Sequence, residues 1–340
     1  MPAQLEWQTM TDAVNKIKPV PRMLQDLVFT RRNTNPTKSI EVDLIVGGET
    51  LAPLVQDMEG ARIVEGTSRE QRVINSARIR IKYPMDANTL LTTRTPGAQP
   101  YIPGGGNIET AYLEQVGREQ KHLRNKVDRR IEEMCAQALT GAITIEQENI
   151  SFNVDYLMPA EHKVTLAGDD RWSEATADVR ANLKTAARLI KRATGFPANL
   201  VICGTDAAAA LLNRVADDSW FNTDAPRLDP LGGFRWSASE AYLGRAGGLS
   251  FYEYVDQYAT DAGVMTDLIA PDKVYVIATA ARISLEFGLI LDIRAKANVQ
   301  AEYFSKQWEE EDPSNLWNLI ESRPLPVLWQ PEAIVEIDVL

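Results

Sequence analysis

A proline-free segment of unusual length, residues 107–141, constrains this chain more than any other feature. It predicts a single helix that ends at Gly141, because glycine readily adopts the left-handed conformation that stops a helix. At about 1.5 Å per residue the helix would be roughly 50 Å long, longer than most single-domain helices. Its apolar residues form a narrow stripe at helical spacing, namely Val116, Leu123, Val127, Ile131, Met134 and Ala138. Charged residues at supporting spacing cover the remaining surface, as in Glu114/Arg118 and Arg129/Glu133.

This helix has two interpretations. One is a surface helix that packs on its own sheet. The other is a strut through an elongated subunit, with an exposed face that meets neighbouring subunits. The segments around the helix favour the strut.

The segments before the helix suggest contacts beyond a single compact core. Residues 9–29 are broken by Pro19 and Pro21, and we expect them to lie across another surface. Alternating residues predict strands at 40–46 and 77–83. The roughly thirty residues between them are rich in glycine and in charges of both signs, too polar for a core. They form either a floppy surface loop or, as the strong flanking strands favour, an arm stabilised on a neighbouring copy.

The second half of the chain shows alternating helix and strand patterns. We expect a hairpin at 143–158, then a helix that opens at Asp170 and ends at Gly195. Its predicted inner face carries Ala175, Val179, Leu183, Ala187 and Ile190. A buried strand at 199–204 precedes a helix capped by Thr205, and strands follow at 249–255 and 273–279. This compact α/β unit interrupts a sheet-and-strut domain that resumes near residue 283, so the fold class is α+β.

Composition narrows the possible functions. The chain has 340 residues and a net charge of −11, which argues against a sequence-independent nucleic-acid binder, because such a protein needs excess Lys and Arg to replace condensed counterions. The two cysteines, Cys135 and Cys203, match no metal or disulfide spacing and are expected to be buried thiols. No signal peptide and no apolar run of about 20 residues is present. We therefore expect a soluble protein made in a cytoplasm, with no membrane partner.

No motif demands catalysis. The triple glycine at 104–106 lacks the strand and the Lys-Ser/Thr of a phosphate-binding loop. His122 is expected on the helix surface and His162 in a loop, with no nucleophile in reach by sequence. The acidic run Glu309–Asp312 matches no calcium loop and is expected to be a solvated turn. We predict no catalytic residues, no metal site and no cofactor.

The C-terminal residues carry the most specific pattern. Residues 303–308 (YFSKQW), the Asp312-Pro313 turn and residues 320–335 (IESRPLPVLWQPEAIV) resemble the ending of the lambda-type major capsid proteins of tailed bacteriophages. Residues 199–214 and 248–284 are similar to that family's buried strand with its helix and to its hairpin-and-strand stretch. The resemblance in residues is clear mainly from about residue 199 onward.

The resemblance implies an HK97-like capsid fold, with a long spine helix, an extended loop arm, a peripheral domain and an inserted α/β axial domain. The corresponding ranges are an N-terminal arm at 1–40, an extended loop at 41–85, a peripheral domain at 86–163 and 285–340, and an axial domain at 164–284. No lysine lies between Glu49 and Arg72, so a lysine–asparagine cross-link from the loop tip is not supported. A scaffolding segment is not found before the arm, so a separate scaffolding protein is expected.

The implied function is structural: a major capsid protein whose copies form hexamers and pentamers of an icosahedral shell around double-stranded DNA. It would be assembled in the host cytoplasm, with a portal and a decoration protein as further partners, and without sequence-specific DNA binding. The alternatives are an encapsulin-like nanocompartment shell and a soluble enzyme that uses carboxylates. The predicted inter-subunit contacts are Glu59, Arg62, Glu65, Arg69, Glu70, Arg124, Arg129 and Arg130.

Overall fold

A computed structural model of the chain describes residues 6–17, 22–46, 68–86, 108–147, 150–215, 241–260, 263–293, 297–311 and 315–340. The helices in these ranges are α1 (Trp7–Lys16), α2 (Met23–Leu27), α3 (Ile108–Leu139), α4 (Val179–Thr194) and α5 (Thr205–Val215). The strands before α4 are β1 (Arg32–Thr34), β2 (Ser39–Val46), β3 (Ser68–Asn75), β4 (Ile79–Asp86), β5 (Ala142–Gln147), β6 (Ile150–Asp155) and β7 (Lys163–Thr165).

The later strands belong mostly to three sheets. They are β8 (Leu200–Cys203), β9 (Ala241–Ala246), β10 (Leu249–Glu253), β11 (Gln257–Ala259), β12 (Met265–Asp267), β13 (Lys273–Ile277), β14 (Ile283–Phe287), β15 (Ile290–Asp292), β16 (Ala297–Val299), β17 (Phe304–Glu310), β18 (Asn315–Ser322), β19 (Pro324–Leu328) and β20 (Ile334–Asp338). The sheets have the orders β17-β18-β4, β1-β14-β19 and β7-β20-β13-β8-β10-β9. The mixed α+β class is confirmed.

The long helix forms as predicted. Helix α3 has 32 residues, which at about 1.5 Å each span roughly 48 Å. Every residue of the predicted apolar stripe is at most 3% exposed. Gly141 follows the helix at φ +89, where a Cβ atom would lie 2.7 Å from the Cβ of Met158. The predicted hairpin after the helix is also present, as β5 paired with β6.

The six-stranded sheet separates two cores because its strands alternate. Ile202 and Tyr275 face the core that also contains Cys135 of α3. Val201 and Val276 face the opposite side, where α4 and α5 pack. Both cysteines are buried free thiols, and burial raises the pKa of Cys135.

Two details of the α/β unit differ from the sequence expectation. Helix α4 begins at Val179 rather than near Asp170, because the Asp178 carboxylate accepts a hydrogen bond from the Ala181 amide and caps it there. Ala175 therefore lies before the helix. Strand β20 pairs with β13, so the C-terminal strand belongs to the sheet of the α/β unit and not to the resumed peripheral domain.

The N-terminal segment also differs from expectation. Met10, Val14, Met23, Leu24 and Phe29 are at most 2% exposed. The prediction that residues 9–29 lie across another surface is therefore wrong for residues 9–17 and 22–29, which contribute to the core. Its apolar side chains fill the space between α3 and the sheet that contains β17.

Candidate inter-subunit surfaces

The charged arm begins as a ribbon of two strands. Strands β2 and β3 are antiparallel, with Ile40 opposite Ile74 and Val46 opposite Ser68, and within the described ranges each pairs only with the other. The base of the ribbon is fixed to the body. Ile40 is 4% exposed in the main core, and the Ser76 hydroxyl donates to the Lys38 carbonyl at 2.9 Å. The strand that returns is therefore 68–75, a polar stretch that alternation did not single out.

Two of the five contacts predicted in the arm lie among the residues that the structure describes. Arg69 and Glu70 lie in β3, opposite Ile45 and Leu44 of β2. The predictions for Glu59, Arg62 and Glu65 fall outside the residues that the structure describes.

The buried side of α3 carries a polar stripe as well as the apolar one. Its members recur every four residues and are at most 4% exposed: Gln120, Arg124, Asp128 and Glu132. Each meets a segment remote in sequence. Gln120 accepts a hydrogen bond from the Ser305 hydroxyl at 3.1 Å, and Glu132 accepts one from the Leu24 amide at 2.8 Å. Polar side chains thus join α3 to the N-terminal segment and to β17.

Arg124 is the centre of this stripe. Its guanidinium donates to the carbonyls of Val14 and Ile17, and it lies 4.7 Å from the centroid of the Tyr303 ring. Its Nε atom is 3.7 Å from Oδ2 of Asp128. A side chain so enclosed cannot reach another subunit, so the prediction of an inter-subunit contact is wrong for Arg124. Arg124 instead holds the end of α1 against α3.

Burial changes the acid–base properties of the stripe. Burial raises the pKa of Asp128 and the pKa of Glu132. Hydrogen bonds oppose the rise in both cases: the Tyr303 hydroxyl donates to Asp128 at 2.5 Å, and the Leu24 amide donates to Glu132. The Tyr254 hydroxyl also donates to Glu132, at 3.1 Å. These carboxylates pack inside the subunit, so their arrangement supports structure rather than chemistry on a substrate.

Arg129 and Arg130 keep their place among the candidate contacts. Arg129 is exposed, and Arg130 retains 30% side-chain exposure while it donates to Glu133 at 2.6 Å. The expected partner of Glu133 was Arg129, four residues away, but the ion pair forms with Arg130, three residues away. Two guanidinium groups of α3 therefore lie near the surface, next to each other in sequence.

A cationic cluster on the outer face of the β17-β18-β4 sheet was missed in the sequence. The Glu321 carboxylate is fully buried and binds Arg78 through two hydrogen bonds of 2.6 and 2.9 Å. Arg80 lies 3.3 Å and Arg323 lies 3.9 Å from the same carboxylate. The hydrogen bond with Glu321 raises the pKa of Arg78. Arg80 was already visible within the alternating strand, but its partner on β18 was not.

Two tryptophans continue this outer face. Trp308 and Trp317 stack with centroids 6.1 Å apart, and the Lys82 ammonium lies 4.2 Å above the Trp317 ring. Beside them is a groove of about 410 Å³ lined by Arg80, Leu291, Asp292, Ile293, Lys306 and Trp308. Ile293 is 95% exposed. The face thus presents both apolar and cationic groups at the surface.

The described residues bring together no group of three or more histidine, cysteine or carboxylate side chains that could hold a metal ion. His122 is exposed on α3, as predicted. His162 lies in a short 3-10 turn, Ala160–His162, between the hairpin and β7, and it is fully buried, with Nδ1 2.9 Å from the Ile334 carbonyl oxygen. Glu309, Glu310 and Glu311 are exposed at the end of β17. Among the described helices, none is long and apolar enough to span a membrane.

Comparisons with solved structures identify the fold. A protein of an Escherichia coli CFT073 prophage, described as a capsid protein, has a TM-score of 0.76 at 17% identity, covering 99% of this chain and 100% of its own. The SrpI encapsulin of Synechococcus elongatus PCC 7942 has a TM-score of 0.55 at 9% identity, with coverages of 100% and 91%. The capsid of cyanophage P-SCSP1u gives 0.52 at 11%, with coverages of 95% and 89%. The chain has the HK97-like capsid fold.

Comparison at the level of sequence families is more specific. No curated protein sequence matches the chain significantly. The model of the family described as phage major capsid protein E matches residues 6–339, nearly the whole chain. The chain therefore belongs to the phage major capsid protein E family.

Proposed function

We propose that copies of this protein assemble into the hexamers and pentamers of an icosahedral phage head that encloses double-stranded DNA. The family match over residues 6–339 carries this proposal. Assembly takes place in the host cytoplasm, with a separate scaffolding protein, a portal and a decoration protein as partners. The protein acts as a structural component without enzymatic activity.

The contact between neighbours that we propose joins the ribbon of one copy to the body of the next. Residues 47–67, between β2 and β3, contain four acidic residues and one basic residue: Glu49, Asp57, Glu59, Glu65 and Arg62. The outer face with Arg78, Arg80 and Arg323 has the opposite charge. Complementary charge supports an orientation in which an acidic segment meets this face, and fixes the register of the two copies.

Negative-stain microscopy together with light-scattering mass tests the function. We expect the purified protein, alone or with a scaffolding protein, to form shells, tubes, or free hexamers and pentamers. A uniform monomer at micromolar concentration that also ignores added scaffolding protein would contradict the proposal. The contents of the particles distinguish a phage head from a nanocompartment. Enclosed DNA supports a phage head, whereas an enclosed enzyme cargo supports a nanocompartment.

A further inference from the structure

Helix α4 presents a row of positive charges that the proposed assembly does not use. Its 16 residues contain five basic residues and no acidic one. All five are exposed: Arg180, Lys184, Arg188, Lys191 and Arg192. No ion pair joins the last four to an acidic side chain in the part of the chain that the structure describes. In a chain with a net charge of −11, this concentration of one sign is unusual.

The geometry of the helix arranges these charges in a line. Arg180, Lys184, Arg188 and Arg192 are spaced by four residues, so they follow one face at about 6 Å per step and extend roughly 18 Å. The opposite face is apolar, with Val179, Leu183, Ala186 and Ile190 buried. The row of charges therefore points away from the six-stranded sheet.

Two ordinary roles, stabilisation of the helix dipole and contact with another protein, do not explain this row of charges. Cations near a helix C-terminus stabilise the helix dipole, but this effect is confined to the last turn and leaves Lys184 and Arg188 without a role. A protein–protein contact usually has large apolar or aromatic anchors at its centre. Here the exposed residues between the cations are small, as at Ala181 and Thr185. The surface also lies on the side of the sheet opposite α3, away from the contacts considered above.

From these observations we infer that the basic row of α4 is a binding site for the phosphate backbone of double-stranded DNA. Phosphates form a regular line of negative charge, which a line of Lys and Arg neutralises without reading the bases. The inference rests on the proposed function, because it assigns α4 to the inner surface of the shell. The overall negative charge keeps binding weak and sensitive to salt, so packaged DNA can slide along the wall.

Fluorescence anisotropy of a labelled 30-base-pair duplex, titrated with the unassembled full-length protein at several KCl concentrations, tests the site. The test variant is Lys184→Gln/Arg188→Gln/Lys191→Gln. The control variant Lys121→Gln/Lys126→Gln/Lys163→Gln removes the same charge at exposed positions elsewhere. We expect the test variant to bind at least about tenfold more weakly and its log–log salt slope to fall by about 2 to 3, since each phosphate contact contributes about 0.9. The control should stay within about twofold of wild type on the same electrostatic grounds.

Equal binding by the test and control variants would overturn the inference. Complete displacement of the duplex by polyglutamate at equal charge would also overturn it, and would assign the row to an acidic protein partner. Microscopy of the test variant separates this inference from the proposed function: we expect normal shells. If the test variant alone fails to form shells, the row is a contact between subunits and the DNA site is wrong. If wild type forms no shells, the proposed function fails, while the anisotropy result still decides the site.

Discussion

Glu132 shows how a single buried acid links the N-terminal segment to the long helix. One carboxylate oxygen accepts hydrogen bonds from the Leu24 amide and the Tyr254 hydroxyl, and the side chain is fully buried. Because burial raises its pKa in the folded state, the folded chain binds the proton more tightly than the unfolded chain. The stability that Glu132 contributes is therefore present at low pH and is lost as the pH rises from 4.5 through the raised value.

We expect Glu132→Gln to remove this pH dependence, because the amide keeps an acceptor oxygen and carries no charge. As the pH rises from 5 to 8, the free energy of unfolding of the variant should increase relative to that of wild type, because only wild type loses stability over this range. Urea unfolding across that range measures the difference. The control Glu161→Gln makes the same change at an exposed position and should follow the wild-type curve. A difference that stays constant or shrinks with rising pH would contradict the prediction.

At the scale of elements, α1 completes the edge of the β17-β18-β4 sheet. The Thr11 hydroxyl accepts a hydrogen bond from the Ser305 amide at 3.1 Å and donates to the Ser305 carbonyl at 3.2 Å. The Asn15 side chain donates to the Tyr303 carbonyl at 3.1 Å. Side chains of a helix thus take the place of a neighbouring strand along part of β17, and protect that edge from pairing with other chains.

Thr11→Val tests this role because valine has the shape of threonine without the hydroxyl. Leaving the buried amide and carbonyl of Ser305 without a partner should cost about 1–3 kcal/mol of unfolding free energy. Urea unfolding measures this loss, and limited proteolysis should show earlier cleavage near α1. Thr185→Val is the matched control, since its hydroxyl is exposed. Equal stabilities of the two variants would show that α1 is held by apolar contacts alone.

Element prediction succeeded where a periodic pattern was strong. The stripe of α3 and the hairpin β5–β6 follow from local spacing, because a helix or a strand must bury whichever face is apolar. Strand β3 was missed, since its residues are polar and only the partner β2 makes it a strand. The start of α4 was placed too early, at Asp170, because the capping role of Asp178 depends on its hydrogen bond from the Ala181 amide in the folded chain.

At the scale of the whole molecule, shell formation should depend on the negative charge of residues 47–67. We expect Glu59→Lys/Glu65→Lys to reduce shell yield almost to zero, because the arm would then place cations against the cationic face of Arg78, Arg80 and Arg323, and such like-charge contacts cost several kcal/mol in each of many copies. Sedimentation and negative-stain microscopy of equal amounts of protein measure the yield. The control Glu161→Lys/Glu174→Lys changes the net charge equally at exposed positions outside the arm. Unchanged yield in the arm variant would show that these carboxylates do not join subunits.

The sequence by itself determined the long helix, the α+β class, the inserted α/β unit and the resemblance that the family match confirms. These depend on local periodicity and on short motifs, which are properties of neighbouring residues. Only the tertiary structure decided that Arg124 and His162 are interior, that β20 joins the six-stranded sheet, and that Glu321 gathers three arginines. The physical reason is the same in each case: burial and charge pairing depend on residues that are far apart along the chain and meet only when it folds.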